Sequence, residues 1–205
     1  RIADEADNEA INKQFNNELQ QQIEGKLPKN HVYNLGMPGG VLQSAGLPNL
    51  PIELSANRLF NKSKQGDHPF DLSSIKNLPN AIQSPIMVFD SKTKADSKVI
   101  LTELQEDGSN FVAVMRVRIS DDGLDIDVNS IRSLYTKDRV GGIADWITDG
   151  LLLYVDKKKA ANFINTQSTN LIAGVNKISS NSITNIIQEL KIQLLKTKRT
   201  FASVT

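Results

Sequence analysis

The stretch from Ser84 to Lys137 constrains the fold more than any other, because four runs of β-forming residues follow one another there with short polar breaks. The runs are Pro85–Phe89, Lys98–Leu104, Asn110–Ile119 and Leu124–Tyr135. Asp107-Gly108 and Asp121-Asp122-Gly123 separate the last three. Asp-Gly supplies the positive φ angles that tight hairpins require, so the pattern predicts an antiparallel meander. The third run alternates as a half-buried strand should, with Phe111, Ala113, Met115, Val117 and Ile119 on one face and Val112, Val114, Arg116 and Arg118 on the other. One sheet face is expected to pack a core and the other to carry charge. The fourth run changes phase between Val128 and Ile131, which a bulge near Asn129-Ser130 would reconcile.

Helices are expected on either side of this sheet. Ile11, Phe15, Leu19 and Ile23 recur every four residues between Asp4 and Glu24, a narrow apolar stripe that Gly25 and Pro28 end. Glycines bracket a short helix within Gly36–Gly46, and the absence of a Lys-Ser/Thr pair after Gly39-Gly40 rules out a phosphate-cradling loop of the P-loop kind. Glu53 to Lys64 reads as a helix with Leu54 and Leu59 inward, and Leu72 to Leu78 as another, capped by Asp71 and ended by Pro79. After the meander, Gly141-Gly142 leads into a short helix carrying Trp146, whose neighbours Ile143 and Ile147 point to a core position. Leu151–Val155 is long enough for an extra strand, and Asp156 can cap a helix from Lys157 to Asn165. Beyond Thr166 the composition turns to Asn, Ser and Thr, ending in an amphipathic basic helix. The organisation expected is an α+β domain over residues 1–165 and a polar, helical tail over 166–205, within a longer polypeptide.

Lys and Arg (24) nearly balance Asp and Glu (23), so no overall field argues for nucleic acid or for a membrane surface, and any basic site must be local. The chain has no cysteine and two histidines, which excludes thiolate chemistry and a histidine-rich metal centre. His68 is the better candidate for acid–base work, because Asp67 could orient it and Lys62 and Lys64 lie just upstream; the competing reading is a surface histidine capping the next helix. His31, in a Pro-Lys-Asn-His turn, reads as structural. Asn129 to Lys137 is dense in hydroxyls and cations, and cations beside a histidine suit the charge that develops on a phosphorane. Arg116 and Arg118 form a same-face pair able to track a phosphate backbone or simply to be solvated. Lys157-Lys158-Lys159 at a helix start opposes the helix dipole and points to an anionic neighbour.

Several short motifs together resemble one family. They are Asn34-Leu35-Gly36-Met37-Pro38, Ser44-Ala45-Gly46-Leu47-Pro48, Pro51-Ile52-Glu53-Leu54, Lys62 with His68-Pro69-Phe70, Pro85-Ile86-Met87-Val88-Phe89, and Ile131-Arg132-Ser133-Leu134-Tyr135 with Lys137-Asp138. From about Asn8 to about Phe163 the chain resembles the C-terminal domain attached to phage MuF proteins, a module also similar to toxin tips and to parts of polyvalent proteins of mobile elements, grouped with the barnase, EndoU, colicin and RelE nucleases. The resemblance implies an α+β fold, helices first and then a four-stranded antiparallel sheet. It implies a metal-independent ribonuclease needing no cofactor, with His68, Lys62, Arg132 and Lys137 as catalytic residues. Ser55, Ser130, Arg116 and Arg118 would contact the substrate. RNA, tRNA included, is then the expected partner, and no membrane is. A toxin of this kind would act in the bacterial cytoplasm after delivery by secretion or phage, and would be paired with an immunity protein. The alternative is a non-catalytic interaction module of a phage or mobile-element protein.

Overall fold

The computed structural model describes residues 2–65, 68–118, 123–130, 143, 146, 147, 149–173 and 192. In chain order its elements are α1 (Ile2–Ile23), β1 (Val32–Asn34), α2 (Gly40–Ser44), β2 (Ile52–Ser55), α3 (Ala56–Gln65), a 3-10 turn (Leu72–Ile75), α4 (Leu78–Gln83), β3 (Met87–Asp90), β4 (Ser97–Glu106), β5 (Ser109–Arg118), β6 (Gly123–Ser130), β7 (Leu152–Val155) and α5 (Lys157–Ala173). The strands form one seven-stranded sheet in the order β1-β2-β6-β5-β4-β3-β7. Every pairing is antiparallel except β2 with β6, which is parallel.

The four strands read from sequence are therefore the middle of a larger mixed sheet, and the expected four-stranded antiparallel sheet is corrected to seven strands. The β4–β5 hairpin turns where expected, with positive φ at Asp107 (50°) and Gly108 (74°), the backbone that a two-residue hairpin turn demands. Strand β7 also appears where expected. The additions are β1 and β2, three and four residues long, inside the half of the chain read as helical. In β2, Ile52 and Leu54 are buried while Glu53 and Ser55 are half-exposed, the period of two that defines a strand. Four residues are too few for that period to outweigh the helix-forming Glu and Leu, so the helix read from Glu53 begins instead at Ala56.

Pro79 also plays the opposite part to the one expected. The segment from Leu72 is a 3-10 turn capped by Asp71, whose carboxylate accepts from the Ser73 N–H. Pro79 then lies in the first turn of α4, where its missing N–H costs no hydrogen bond. Asn77 precedes α4 in the left-handed region (φ 66°) and makes no side-chain cap of its own. Helix α1 supplies the cap instead: Asn12 Oδ1 accepts from the Asn80 N–H (3.3 Å), and the amides of Asn12 and Asn16 both donate to Asn77 Oδ1 (2.9 and 2.7 Å). Asn12 is 8% exposed, so truncating it strands buried polar groups. Asn12→Ala is expected to cost about 1–3 kcal/mol, read as a lower denaturation midpoint, whereas replacing exposed Lys13 in the same turn should leave that midpoint unchanged.

The sheet is covered on both faces. On one, Phe111, Ala113 and Met115 of β5 and Leu124, Ile126 and Val128 of β6 pack with Phe15 and Leu19 of α1, Leu59 of α3 and Leu78 and Ile82 of α4. On the other, Met87, Phe89, Val99, Leu101 and Val112 pack with Ile143, Ile147, Ala160, Phe163 and Ile164. The charged face expected from β5 is thus confined to its end at Arg116 and Arg118, because Val112 lies in a second core. Trp146 is partly buried in that core, its ring edge-on to Phe89 with centroids 5.3 Å apart. Asp156 caps α5 through the Lys159 N–H (3.0 Å), and α5 continues past Asn165 to Ala173. Glu103, 3.5 Å from Lys159, is the anionic neighbour that the lysine run called for.

Candidate functional site

Strand β2 pairs with β6 only at Ile52–Leu124 and Glu53–Asp125, after which the chain turns helical. Helix α3 therefore takes the place of a further strand beside the second half of β6. Ser55 Oγ accepts from the Arg58 N–H (3.3 Å) at the helix start, a capping contact. Leu59 and Ser63 are buried, whereas Arg58 and Lys62, one turn apart, reach β6. Residues Asp125, Asp127 and Asn129 alternate along β6 and so share a face. Arg58 donates to Asp125 (2.5 Å) and Asp127 (3.3 Å), and Lys62 Nζ donates to Asn129 Oδ1 (2.8 Å). The hydrogen bond to Asp125 is the largest cause holding the Arg58 pKa above its ordinary value, against the opposing effect of burial.

The next residue on β6, Ser130, is buried, and its hydroxyl lies 3.1 Å from that of Ser109 at the start of β5. The loop after α3 is drawn to the same end of the sheet. The Phe70 N–H donates to Ser63 O (3.0 Å), and the Phe70 ring sits edge-on to Phe111, centroids 5.0 Å apart. Phe111 is in register with Ser130. His68, two residues before Phe70, is partly exposed as a residue, but its Nε2 is buried and has no hydrogen-bond partner among the described residues. A buried imidazole nitrogen without a partner is uncommon, because its desolvation is uncompensated. Asp67, expected to orient His68, lies outside the described residues, as do Arg132 and Lys137.

The remaining candidates sit elsewhere on the same sheet. Arg118 donates to Glu53 (2.6 Å) across the β2–β6–β5 surface, its guanidinium passing over Gly123, where a Cβ would collide with it. Arg116 is exposed and in register with Asp125. His31 is structural as read: Nε2 contacts Glu18 and the ring packs edge-on to Tyr33. Sequence reasoning missed Arg58, Asp125 and Asp127, and took Asn129 only as the start of a strand end dense in hydroxyls and cations. The signal was present in the alternation Asp125-Ile126-Asp127-Val128-Asn129, whose polar members face one way, and in the helical spacing of Arg58 and Lys62.

A groove of about 590 Å³ lies between the end of α1, helix α3, Pro69 and Phe70 of the following loop and the β4–β5 turn. Its lining includes Phe60, Phe70 and Ile23, the carboxylates of Asp71, Glu106 and Asp107, and one cation, Lys64. Three carboxylates against one lysine leave the lining net acidic, which disfavours a phosphate backbone there. Among the described residues, no three His, Asp or Glu side chains converge as a metal site would need, and no helix is long and apolar enough to cross a membrane.

Strands β5 and β6, most of α3 and the His68 loop lie within the part of the chain that comparison with known proteins identifies, whereas β2, Ser55 and Arg58 precede it. No curated protein and no solved structure matches the chain. Residues 60–162, half of the chain, match the model of the phage MuF-C-terminal domain, a segment running from α3 to the first turns of α5 and carrying Lys62, His68, Ser130, Arg132 and Lys137. By that match the chain belongs to the phage MuF C-terminal domain family.

Proposed function

We propose that this domain is a metal-independent endoribonuclease acting as an effector, with tRNA among its substrates and an immunity protein as its partner. The 2′-hydroxyl attacks the adjacent phosphorus, forming the 2′-O–P bond while the P–O5′ bond breaks, to leave a 2′,3′-cyclic phosphate and a 5′-hydroxyl. The proton leaving the 2′-oxygen passes to a base, and an acid returns one to the departing 5′-oxygen. His68 takes one of these two roles. Lys62, Arg132 and Lys137 stabilise the charge that builds on the pentacovalent phosphorus. Ser55, Ser130, Arg116 and Arg118 contact the RNA around it.

The observation that carries this reading is the imidazole of His68. Its Nε2 is buried and unpartnered among the described residues, in the loop after α3 that Phe70 anchors on Ser63 and Phe111. A ring nitrogen not committed to the described residues keeps its capacity to accept or donate a proton, whereas a histidine that only caps a helix spends its nitrogen on the backbone. The test is incubation of the purified chain with total RNA and with tRNA, in excess chelator and in excess magnesium. Cleavage independent of metal is expected. RNA left intact under both conditions would make the chain a non-catalytic interaction module instead.

A further inference from the structure

Lys62 differs from its helix neighbour Arg58 and from several other described cations in what holds it. Arg58 is paired with Asp125 and Asp127, Arg118 with Glu53, Lys98 with Asp90, and Lys159 with Glu103. Each of these has a carboxylate partner. The Lys62 ammonium is instead held at 2.8 Å by the side-chain oxygen of Asn129, and no carboxylate pairs with it among the described residues. An amide oxygen fixes an ammonium without cancelling its charge. One hydrogen bond uses one of the three N–H donors of the lysine, leaving the others to point at a ligand.

We infer that Asn129 is a positioning residue that presents the Lys62 ammonium, paired with no carboxylate among the described residues, to a single phosphate of a bound RNA strand; the nature of that ligand rests on the ribonuclease reading. The row on β6 gives this site a direction. Asp125 and Asp127 stand two and four residues before Asn129 on the same face, and Arg58 offsets rather than reverses their charge. The contacted phosphate therefore lies at the Asn129 end of the row, beside Lys62, while exposed Arg116 can meet the strand farther along the sheet. The two polar side chains one turn apart on α3 thereby do different things: Arg58 locks the helix to the strand, and Lys62 binds.

Three variants of the full chain test this: Asn129→Asp, Asn129→Ala and Lys62→Ala. Each is measured for binding of a labelled single-stranded RNA oligonucleotide across a salt series and for RNA cleavage, with the thermal midpoint as a check on the fold. Asn129→Asp creates the missing carboxylate partner. It is expected to weaken binding and to flatten the dependence of log K on log salt by about 0.7, the contribution of one phosphate contact on a single strand, just as Lys62→Ala does. Asn129→Ala keeps the charge but frees the side chain; it is expected to preserve the salt slope and to lower kcat more than it raises KM. Parental affinity and slope in Asn129→Asp would overturn the inference, and so would parental kinetics in Asn129→Ala. Should the parent bind RNA with the expected slope changes in the variants and cleave none, the ribonuclease reading fails while the phosphate site stands.

Discussion

Replacing His68 with alanine is expected to lower RNA cleavage by about 100-fold or more, the range that a positioned proton-transfer group contributes, and to leave the fold intact. The expectation of an intact fold comes from the anchoring of the loop. Phe70 holds it through the Ser63 carbonyl and the Phe111 ring, and His68 Nε2 makes no hydrogen bond to a described residue that truncation would break. Removing an unsatisfied buried nitrogen costs little and relieves its desolvation. Initial rates on tRNA and a thermal melt, measured on the same preparation, separate the two effects. A variant that melts with the parent and cleaves as fast as the parent would remove His68 from the chemistry. A variant that loses activity only because it melts far below the parent would show the loop to be structural.

The largest loss of stability is expected at Tyr33→Ala. Tyr33 is fully buried in β1, its ring packed on Phe15 at 4.9 Å and edge-on to His31 at 5.1 Å. Its hydroxyl donates to Gln22 Oε1 (2.6 Å), and Gln22 Nε2 in turn donates to the Ala56 carbonyl (2.8 Å). One side chain thus ties α1, the sheet edge and the start of α3 together. Emptying an aromatic site of this kind costs about 3–5 kcal/mol, a large part of the ~5–15 kcal/mol that holds a domain folded. Denaturant titration should show the midpoint falling accordingly, and a loss below about 1 kcal/mol would mean that the edge strand contributes little. Burial first, and the charge of Glu18 second, push the Tyr33 phenol well above its ordinary pKa. The unfolded phenol ionises near about 10, so this contribution is intact below that pH and is lost as pH rises from there through the higher folded value.

What the sequence revealed depended on how many residues each signal spans. The meander, the Asp107-Gly108 turn, the stripe of α1 and the caps at Asp71 and Asp156 are local patterns, each carried by adjacent or periodic residues. Strands β1 and β2 escaped because three or four residues show too little of a period, and because a two-residue parallel pairing between Ile52–Glu53 and Leu124–Asp125 joins segments about seventy positions apart. Pro79 misled because proline ends one helix and begins another with equal ease, and only the position of Asn77 distinguishes the two. At the site, histidine and lysine were singled out by residue type, whereas the contact of Asn129 with Lys62 became visible only when α3 came to lie beside β6. The expected bulge is absent at Asn129-Ser130, which pair in regular register with Val112 and Phe111, while Asp121-Asp122, Gly141-Gly142 and nearly all of the basic tail fall outside the described residues.

Analysis of the RNA ends by mass spectrometry, after digestion of tRNA in excess chelator, tests the central claim most directly. Attack by the 2′-hydroxyl predicts 2′,3′-cyclic phosphate on one side of each cut and a 5′-hydroxyl on the other, absent from the His68→Ala digest. Products ending in a 3′-hydroxyl and a 5′-phosphate, or tRNA recovered intact at every enzyme concentration, would contradict it.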